Sequence, residues 1–137
     1  MNSDDGKLER IKRRKIEELM RMFEEKSSSV SKPIEVTDFN FNETIRRNRL
    51  VVIDCWAPWC APCRMMTPII DELAREYSGK ILFGKLNVNE NQKTSVEYQI
   101  MSIPTFLVFK DGYLIEKIVG AMPKKALEQK LVKYLES

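Results

Sequence analysis

The stretch LVVIDCWAPWCAPC, residues 50–63, contains all three cysteines of the chain and both of its tryptophans. It opens with a nearly continuous apolar run, LVVIDCWA, as expected of a central strand that is covered on both faces. The residues that follow, PCRMMTPIIDELAREYSG at 62–79, predict a long helix with a kink at Pro68. Cys60 and Cys63 therefore lie where a buried strand gives way to a helix.

This placement of two cysteines has a chemical consequence. Unpaired N–H groups and the dipole at a helix N-terminus stabilise a thiolate, so we expect Cys60 to be exposed there and to act as a nucleophile. Cys63 lies three residues further along, on the same side of the helix. It can attack a mixed disulfide formed by Cys60, which releases the reduced partner and closes an internal disulfide. The spacing therefore predicts thiol–disulfide exchange.

Composition limits the other kinds of chemistry. The chain has 137 residues, of which 43% are apolar, and this is enough for one domain with a tail. Its 23 basic and 20 acidic residues are too evenly mixed to indicate a nucleic-acid binder. Three cysteines and no histidine cannot supply the four ligands of a structural zinc site, so we expect no metal. An iron–sulfur cluster shared by two chains through Cys60 and Cys63 stays formally open.

The N-terminal segment differs in character from the rest of the chain. Residues 1–32 predict an amphipathic helical extension, KLERIKRRKIEELMRMFEEK, followed by a Ser-rich linker. We expect this helix to dock on its own domain or to pair with another copy, because interleaved Glu side chains count against contact with a membrane or nucleic acid. The segment carries neither a secretory signal nor a membrane span, so we expect a cytoplasmic protein.

Downstream of the linker, helical and strand patterns alternate, which indicates an α/β domain. A helix that ends near Asn48 has Thr37 or Asp38 available as its N-cap. The dipeptide Asp111-Gly112 predicts a hairpin turn between two strands. The remaining predicted elements are strands at IEV (34–36) and ILFGKLNV (81–88) and helices at NQKTSVEYQI (91–100) and PKKALEQKLVKYLE (123–136).

The segment Trp59-Cys60-Ala61-Pro62-Cys63, with Asp54 before it and Pro68 after it, resembles the active site of the thioredoxin family. Three later motifs resemble those of the family in order and spacing, so the similarity covers about residues 34–137: KLNVNEN (85–91), YQIMSIPTFLVFKDG (98–112) and VGA (119–121). The resemblance implies the thioredoxin fold, a central mixed β-sheet of four to five strands flanked by helices. We place this domain at residues 33–137, after the helical extension.

The resemblance also implies the activity and the partners. A member of this family reduces disulfides in protein substrates and is itself reduced by a thioredoxin reductase, with no bound cofactor. This chain departs from the commonest family pattern in having Ala61 in place of Gly and Pro58 before Trp59. Residues between the cysteines alter the reduction potential, so the potential is the property in doubt. A thiol oxidant or disulfide isomerase, and a redox-inactive binding module, therefore remain as alternatives.

Asp54 is a carboxylate within an apolar strand. Burial raises the pKa of such a group towards neutrality, which would let Asp54 act as the base for the proton of Cys63. The resemblance implies the same role. The alternative is a structural pair with Lys85 from the neighbouring strand, and a nearby ammonium would also tune the carboxylate.

The resemblance places Pro104 as a cis-proline that faces the cysteines. The neighbouring backbone of Ile103 can pair with an extended segment of the substrate. Cys55 lies on the opposite strand face from Asp54 and is expected in the core. The residues predicted to contact substrate are Trp59, Ala61, Pro62, Ile103, Pro104, Gly120 and Ala121.

Overall fold

A computed structural model describes residues 14–16 and 30–136 of the chain. Most of the predicted N-terminal extension therefore lies outside the described residues, and its short described part, residues 14–16, is helical and exposed. No helix in the described ranges is long and apolar enough to cross a membrane.

Five strands form one sheet, as the resemblance implies. They are joined in the order β1-β3-β2-β4-β5, with β1, β3 and β2 parallel and with β4 antiparallel to both β2 and β5. The central strand, β2, is the nearly continuous apolar run singled out in the sequence, and all of its residues except Trp56 are buried, as expected for a strand covered on both faces. The strands are β1 (Ile34–Val36), β2 (Leu50–Trp56), β3 (Leu82–Asn87), β4 (Thr105–Lys110) and β5 (Tyr113–Val119).

Between residues 30 and 136, four helices accompany this sheet. The longest begins one residue earlier than predicted and runs without a break through Pro68. It ends before Gly79, whose φ of +83° suits a residue without a Cβ atom. The helices are α1 (Phe41–Arg47), α2 (Ala61–Glu76), α3 (Gln92–Glu97) and α4 (Lys124–Val132).

The two faces of the sheet carry separate apolar clusters, because alternate residues of β2 point to opposite faces. Leu50 and Val52 pack in one cluster with side chains of α2 and α4. Val51, Ile53 and Cys55 pack in the other with side chains of α1. The expected place of Cys55 in the core is thereby confirmed. Asp54 lies two residues after Val52 and therefore on the same face of the sheet, so its side chain points to the side covered by α2.

The predicted cap of the first helix is wrong. Neither Thr37 nor Asp38 caps α1; the N-cap residue is Asn40, which makes no side-chain capping bond. Asp38 instead accepts hydrogen bonds from the backbone N–H groups of Lys93 (3.3 Å) and Thr94 (2.9 Å) at the start of α3. The carboxylate therefore joins two segments that are 56 residues apart.

Candidate active site

Cys60 and Cys63 are joined by a disulfide at the start of α2, with 5.3 Å between their Cα atoms. Cys60 is the N-cap residue, in extended conformation, and Cys63 lies in the first turn. The backbone N–H of Cys63 donates a hydrogen bond to Cys60 Sγ at 3.2 Å. Ala61 and Pro62 occupy the first two helical positions, where an N–H group has no partner within the helix, so the proline costs no hydrogen bond.

The loop before Cys60 is fixed from both sides. The N–H of Cys60 donates to the carbonyl oxygen of Ala57 at 3.1 Å. The guanidinium of Arg64 donates to the carbonyl oxygen of Pro58 at 2.9 Å. Arg64 was not singled out in the sequence, because nothing local shows that its side chain folds back over the helix start. Its contact holds the segment that carries Trp59 against α2.

The expectation that Cys60 is exposed is wrong for this disulfide form. Cys60 is 4% exposed and Cys63 is 2% exposed. The disulfide packs in a small apolar cluster with Ala57, against which Trp56 and Ile103 are also packed. Exposure therefore does not distinguish the two sulfurs, but hydrogen bonding does, since Cys60 Sγ accepts the N–H bond described above.

The carboxylate of Asp54 is buried and makes no hydrogen bond to the described residues. The residue is 1% exposed, and neither carboxylate oxygen has a hydrogen-bond partner among the described residues. Burial disfavours the charged form and raises the pKa of Asp54 from 3.8 to about 7, while the nearby Lys85 ammonium lowers it. A carboxyl group with this pKa can both take up and release a proton near neutral pH.

Lys85 lies beside Asp54 in the parallel register of β2 and β3. The structural ion pair that was the alternative reading of Asp54 is absent from the salt bridges of the described residues. The Lys85 ammonium instead lies over the ring of Trp56, 4.8 Å from the ring centroid. This position keeps the ammonium near enough to influence Asp54, yet it leaves the carboxylate without a direct partner.

The peptide bond between Ile103 and Pro104 is cis, as predicted. The carbonyl oxygen of Ile103 lies 3.8 Å from Cys60 Sγ, so this loop borders the disulfide. The carbonyl oxygen of Pro104 accepts a hydrogen bond from Gly120 at 2.8 Å, which brings the segment with Ala121 to the same loop. Three predicted contact residues on the other side are exposed: Trp59, at 67%, with Ala61 and Pro62.

Cys55 takes no part in this arrangement. It is fully buried, and burial followed by the charge of Asp54 raises the pKa of its thiol to about 12. Within residues 14–16 and 30–136, no cluster of three or more His, Cys, Asp or Glu side chains could hold a metal ion.

A disulfide between two cysteines at a helix start, bordered by a cis-proline loop and backed by a buried carboxyl group, is the arrangement of a dithiol–disulfide oxidoreductase. The family model described as Thioredoxin matches residues 32–133. The chain belongs to the thioredoxin family and is a protein disulfide reductase with a CxxC active site.

Individual relatives agree with this assignment. A thioredoxin of Synechocystis is 46% identical over 102 residues, which cover 74% of this chain and 95% of the relative. A chloroplastic M-type thioredoxin of Pisum sativum is 48% identical over 101 residues, or 73% of this chain and 59% of the relative. The solved structure of a mutant thioredoxin from Halobacterium salinarum superposes with a TM-score of 0.74 at 30% identity and covers 80% of this chain and 96% of its own. The predicted fold and activity are confirmed.

Proposed function

We propose that Cys60 is the attacking cysteine, Cys63 the resolving cysteine, and Asp54 the base that serves Cys63. The hydrogen bond from the Cys63 N–H to Cys60 Sγ carries this proposal. In the reduced protein, a hydrogen bond donated to this sulfur would stabilise a Cys60 thiolate, which favours Cys60 as the nucleophile. The N-cap position adds the dipole of α2 to the same effect.

The cycle has two exchange steps. In the reduced protein the Cys60 thiolate attacks one sulfur of a substrate disulfide, and the other substrate sulfur leaves as a thiolate. Cys63 then loses its proton to Asp54 and attacks Cys60 Sγ, which releases the second substrate thiolate and forms the Cys60–Cys63 disulfide. The buried carboxylate of Asp54 supports its part in this step, because within residues 30–136 its oxygens hold no hydrogen bond that a proton transfer would break. Lys85 acts as a positioning charge that limits the rise in the pKa of Asp54.

The substrate surface surrounds Cys60. Trp59, Ala61 and Pro62 would contact the substrate from the helix start, and Pro104 and Gly120 from the opposite loops. The backbone of Ile103 would pair with an extended substrate segment beside the attacked disulfide. The predicted role of Ala121, which follows Gly120, is to complete the apolar rim.

We place the protein in the cytoplasm, with thioredoxin reductase as its electron donor and disulfide-containing proteins as its substrates. The cysteine pair itself carries both electrons, so the cycle requires neither a bound cofactor nor a metal. Nucleic acid and membrane have no role in this cycle. The N-terminal segment contributes no residue to it and is available for self-association.

Trapping experiments test the assignment of the two cysteines. Cys63→Ser should accumulate mixed disulfides with an oxidised protein substrate, visible on non-reducing gels and absent after reduction. Cys60→Ser should accumulate none at the same pH, and Cys55→Ser should behave as the wild type. Trapping by Cys60→Ser in place of Cys63→Ser would reverse the assignment.

A further inference from the structure

Two methionines on the elements that form the redox site are largely exposed to solvent. Met101 is 91% exposed and Met65 is 69% exposed, while Met66, the next residue along α2, is 1% exposed. Met66 packs in the core, and its Sδ accepts a hydrogen bond from the N–H of Met122 at 3.5 Å. Both exposed methionines lie close in sequence to residues of the redox site, Met65 two residues after Cys63 and Met101 two residues before Ile103.

The exposure of Met101 follows from a fixed backbone. The Lys117 ammonium donates to the carbonyl oxygens of Tyr98 (3.0 Å) and Gln99 (2.7 Å) on one side of it. On the other side, the hydroxyl of Thr105 donates to the carbonyl oxygen of Ser102 at 2.6 Å. The loop between these anchors packs Ile100 against the core and leaves Met101 outside. Two residues later, the Ile103 carbonyl lies 3.8 Å from Cys60 Sγ.

Met65 lies on the other element of the site. It follows Cys63 by two residues and Ala61 by four, so it shares the exposed face of α2 with Ala61. An exposed apolar side chain therefore lies about one turn beyond Ala61 on this face of α2. Together, Met65 and Met101 extend the substrate surface outward on both elements that meet at Cys60.

We propose that Met65 and Met101 determine specificity by contacting apolar side chains that flank the disulfide of a protein substrate. This inference rests on the proposed function, since it needs a substrate disulfide at Cys60. Methionine suits the role because its unbranched, polarisable side chain adapts to apolar surfaces of different shape. Exposed apolar surface continuous with a working site is characteristic of a binding surface.

Matched peptides test the proposal. Two peptides share one scaffold with an internal disulfide, which is flanked by Leu and Phe in one and by Ser in the other. Met101→Ala should lower the second-order rate constant for reduction of the Leu/Phe peptide about fivefold, the effect expected when a contact worth about 1 kcal/mol is lost. Met65→Ala should act in the same direction. Neither variant should change the rate with the Ser peptide by more than about twofold.

Controls separate this proposal from the proposed function. Met101→Leu keeps the apolar area and should retain the preference for the Leu/Phe peptide. Tyr113→Ala removes a side chain that is 76% exposed at the far end of the sheet and should change neither peptide rate. Reduction of 5,5′-dithiobis(2-nitrobenzoate), a small disulfide, should proceed normally in every variant. A loss of that activity in Met65→Ala or Met101→Ala would overturn a role in specificity alone, whereas the exchange mechanism is tested separately by the cysteine variants.

A direct observation comes from NMR of protein labelled with 13C at the methionine methyl groups. When Cys63→Ser protein forms a mixed disulfide with the Leu/Phe peptide, the methyl signals of Met65 and Met101 should shift and that of buried Met66 should not. Unchanged signals at Met65 and Met101, or equal rates for Met101→Ala and wild type with the Leu/Phe peptide, would overturn the proposal.

Discussion

Removing the charge of Asp54 should stabilise the folded protein, and the gain should grow with pH. Burial raises the pKa of Asp54 from 3.8 to about 7. Between these values the folded protein holds a proton that the unfolded chain releases, so stability falls as pH rises from about 4 to about 7. A pKa difference of about three corresponds to about 4 kcal/mol, because one unit is worth about 1.4 kcal/mol. The Asn side chain of Asp54→Asn imitates the protonated carboxyl group and does not titrate, so the variant should not lose this stability as pH rises.

Urea denaturation of the oxidised proteins between pH 3 and pH 9 measures the effect, and working with the disulfide form keeps Cys60 and Cys63 from titrating. The two unfolding free energies should nearly agree at pH 3. Asp54→Asn should be more stable by about 4 kcal/mol at pH 8. Asp71 is partly exposed on α2, so Asp71→Asn serves as the control for the loss of a carboxylate that is not deeply buried. A constant difference between wild type and Asp54→Asn across this range would refute the claim that Asp54 is buried with a raised pKa.

Three further outcomes are expected. Removal of residues 1–32 should leave the rate of disulfide reduction on a small protein substrate within about a factor of three, since every residue assigned to the exchange lies later in the chain. A larger loss of rate would show that the segment contributes to the substrate site. Asp38→Ala should lower the unfolding free energy by about 1 kcal/mol, because its carboxylate caps α3. Urea denaturation measures this loss, with Glu43→Ala as the control for removal of an acidic side chain. Equal losses in the two variants would count against the cap. In reduced native protein, iodoacetamide should modify Cys60 first and should leave Cys55 unmodified until urea unfolds the chain. Mass spectrometry can follow the labelling of each cysteine. Early labelling of Cys55 would contradict its burial.

The order of strands and helices could be predicted from the sequence because the signals are local. The apolar run of β2, the turn at Asp111-Gly112 and the helical periodicity of α2 and α4 each lie within a short segment. The site could be predicted for the same reason, since its two cysteines and Asp54 fall within ten residues. The cis bond at Pro104 was confirmed, but it was inferred from the resemblance to a family and not from the local residues.

The failed predictions concern side chains that reach distant partners. Asp38 is of a residue type that commonly caps helices and lies just before α1, yet its carboxylate binds the start of α3 instead. The alternative reading of Asp54, an ion pair with Lys85, likewise followed from the strand register, yet the Lys85 ammonium lies over Trp56. The burial of Cys60 depends on Ile103, which is 43 residues away. Spacing along the chain could not reveal any of these contacts.

The pH dependence of mixed-disulfide resolution tests the role of Asp54 most directly. Stopped-flow mixing of reduced protein with an oxidised substrate separates formation of the mixed disulfide from its release. In the wild type the release rate should rise with pH and level off above about pH 7, as Asp54 becomes ionised. In Asp54→Asn the release rate at pH 7 should fall about a hundredfold, and the formation rate should change much less. The same release rate and the same pH profile in both proteins would contradict a role for Asp54 as the base for Cys63.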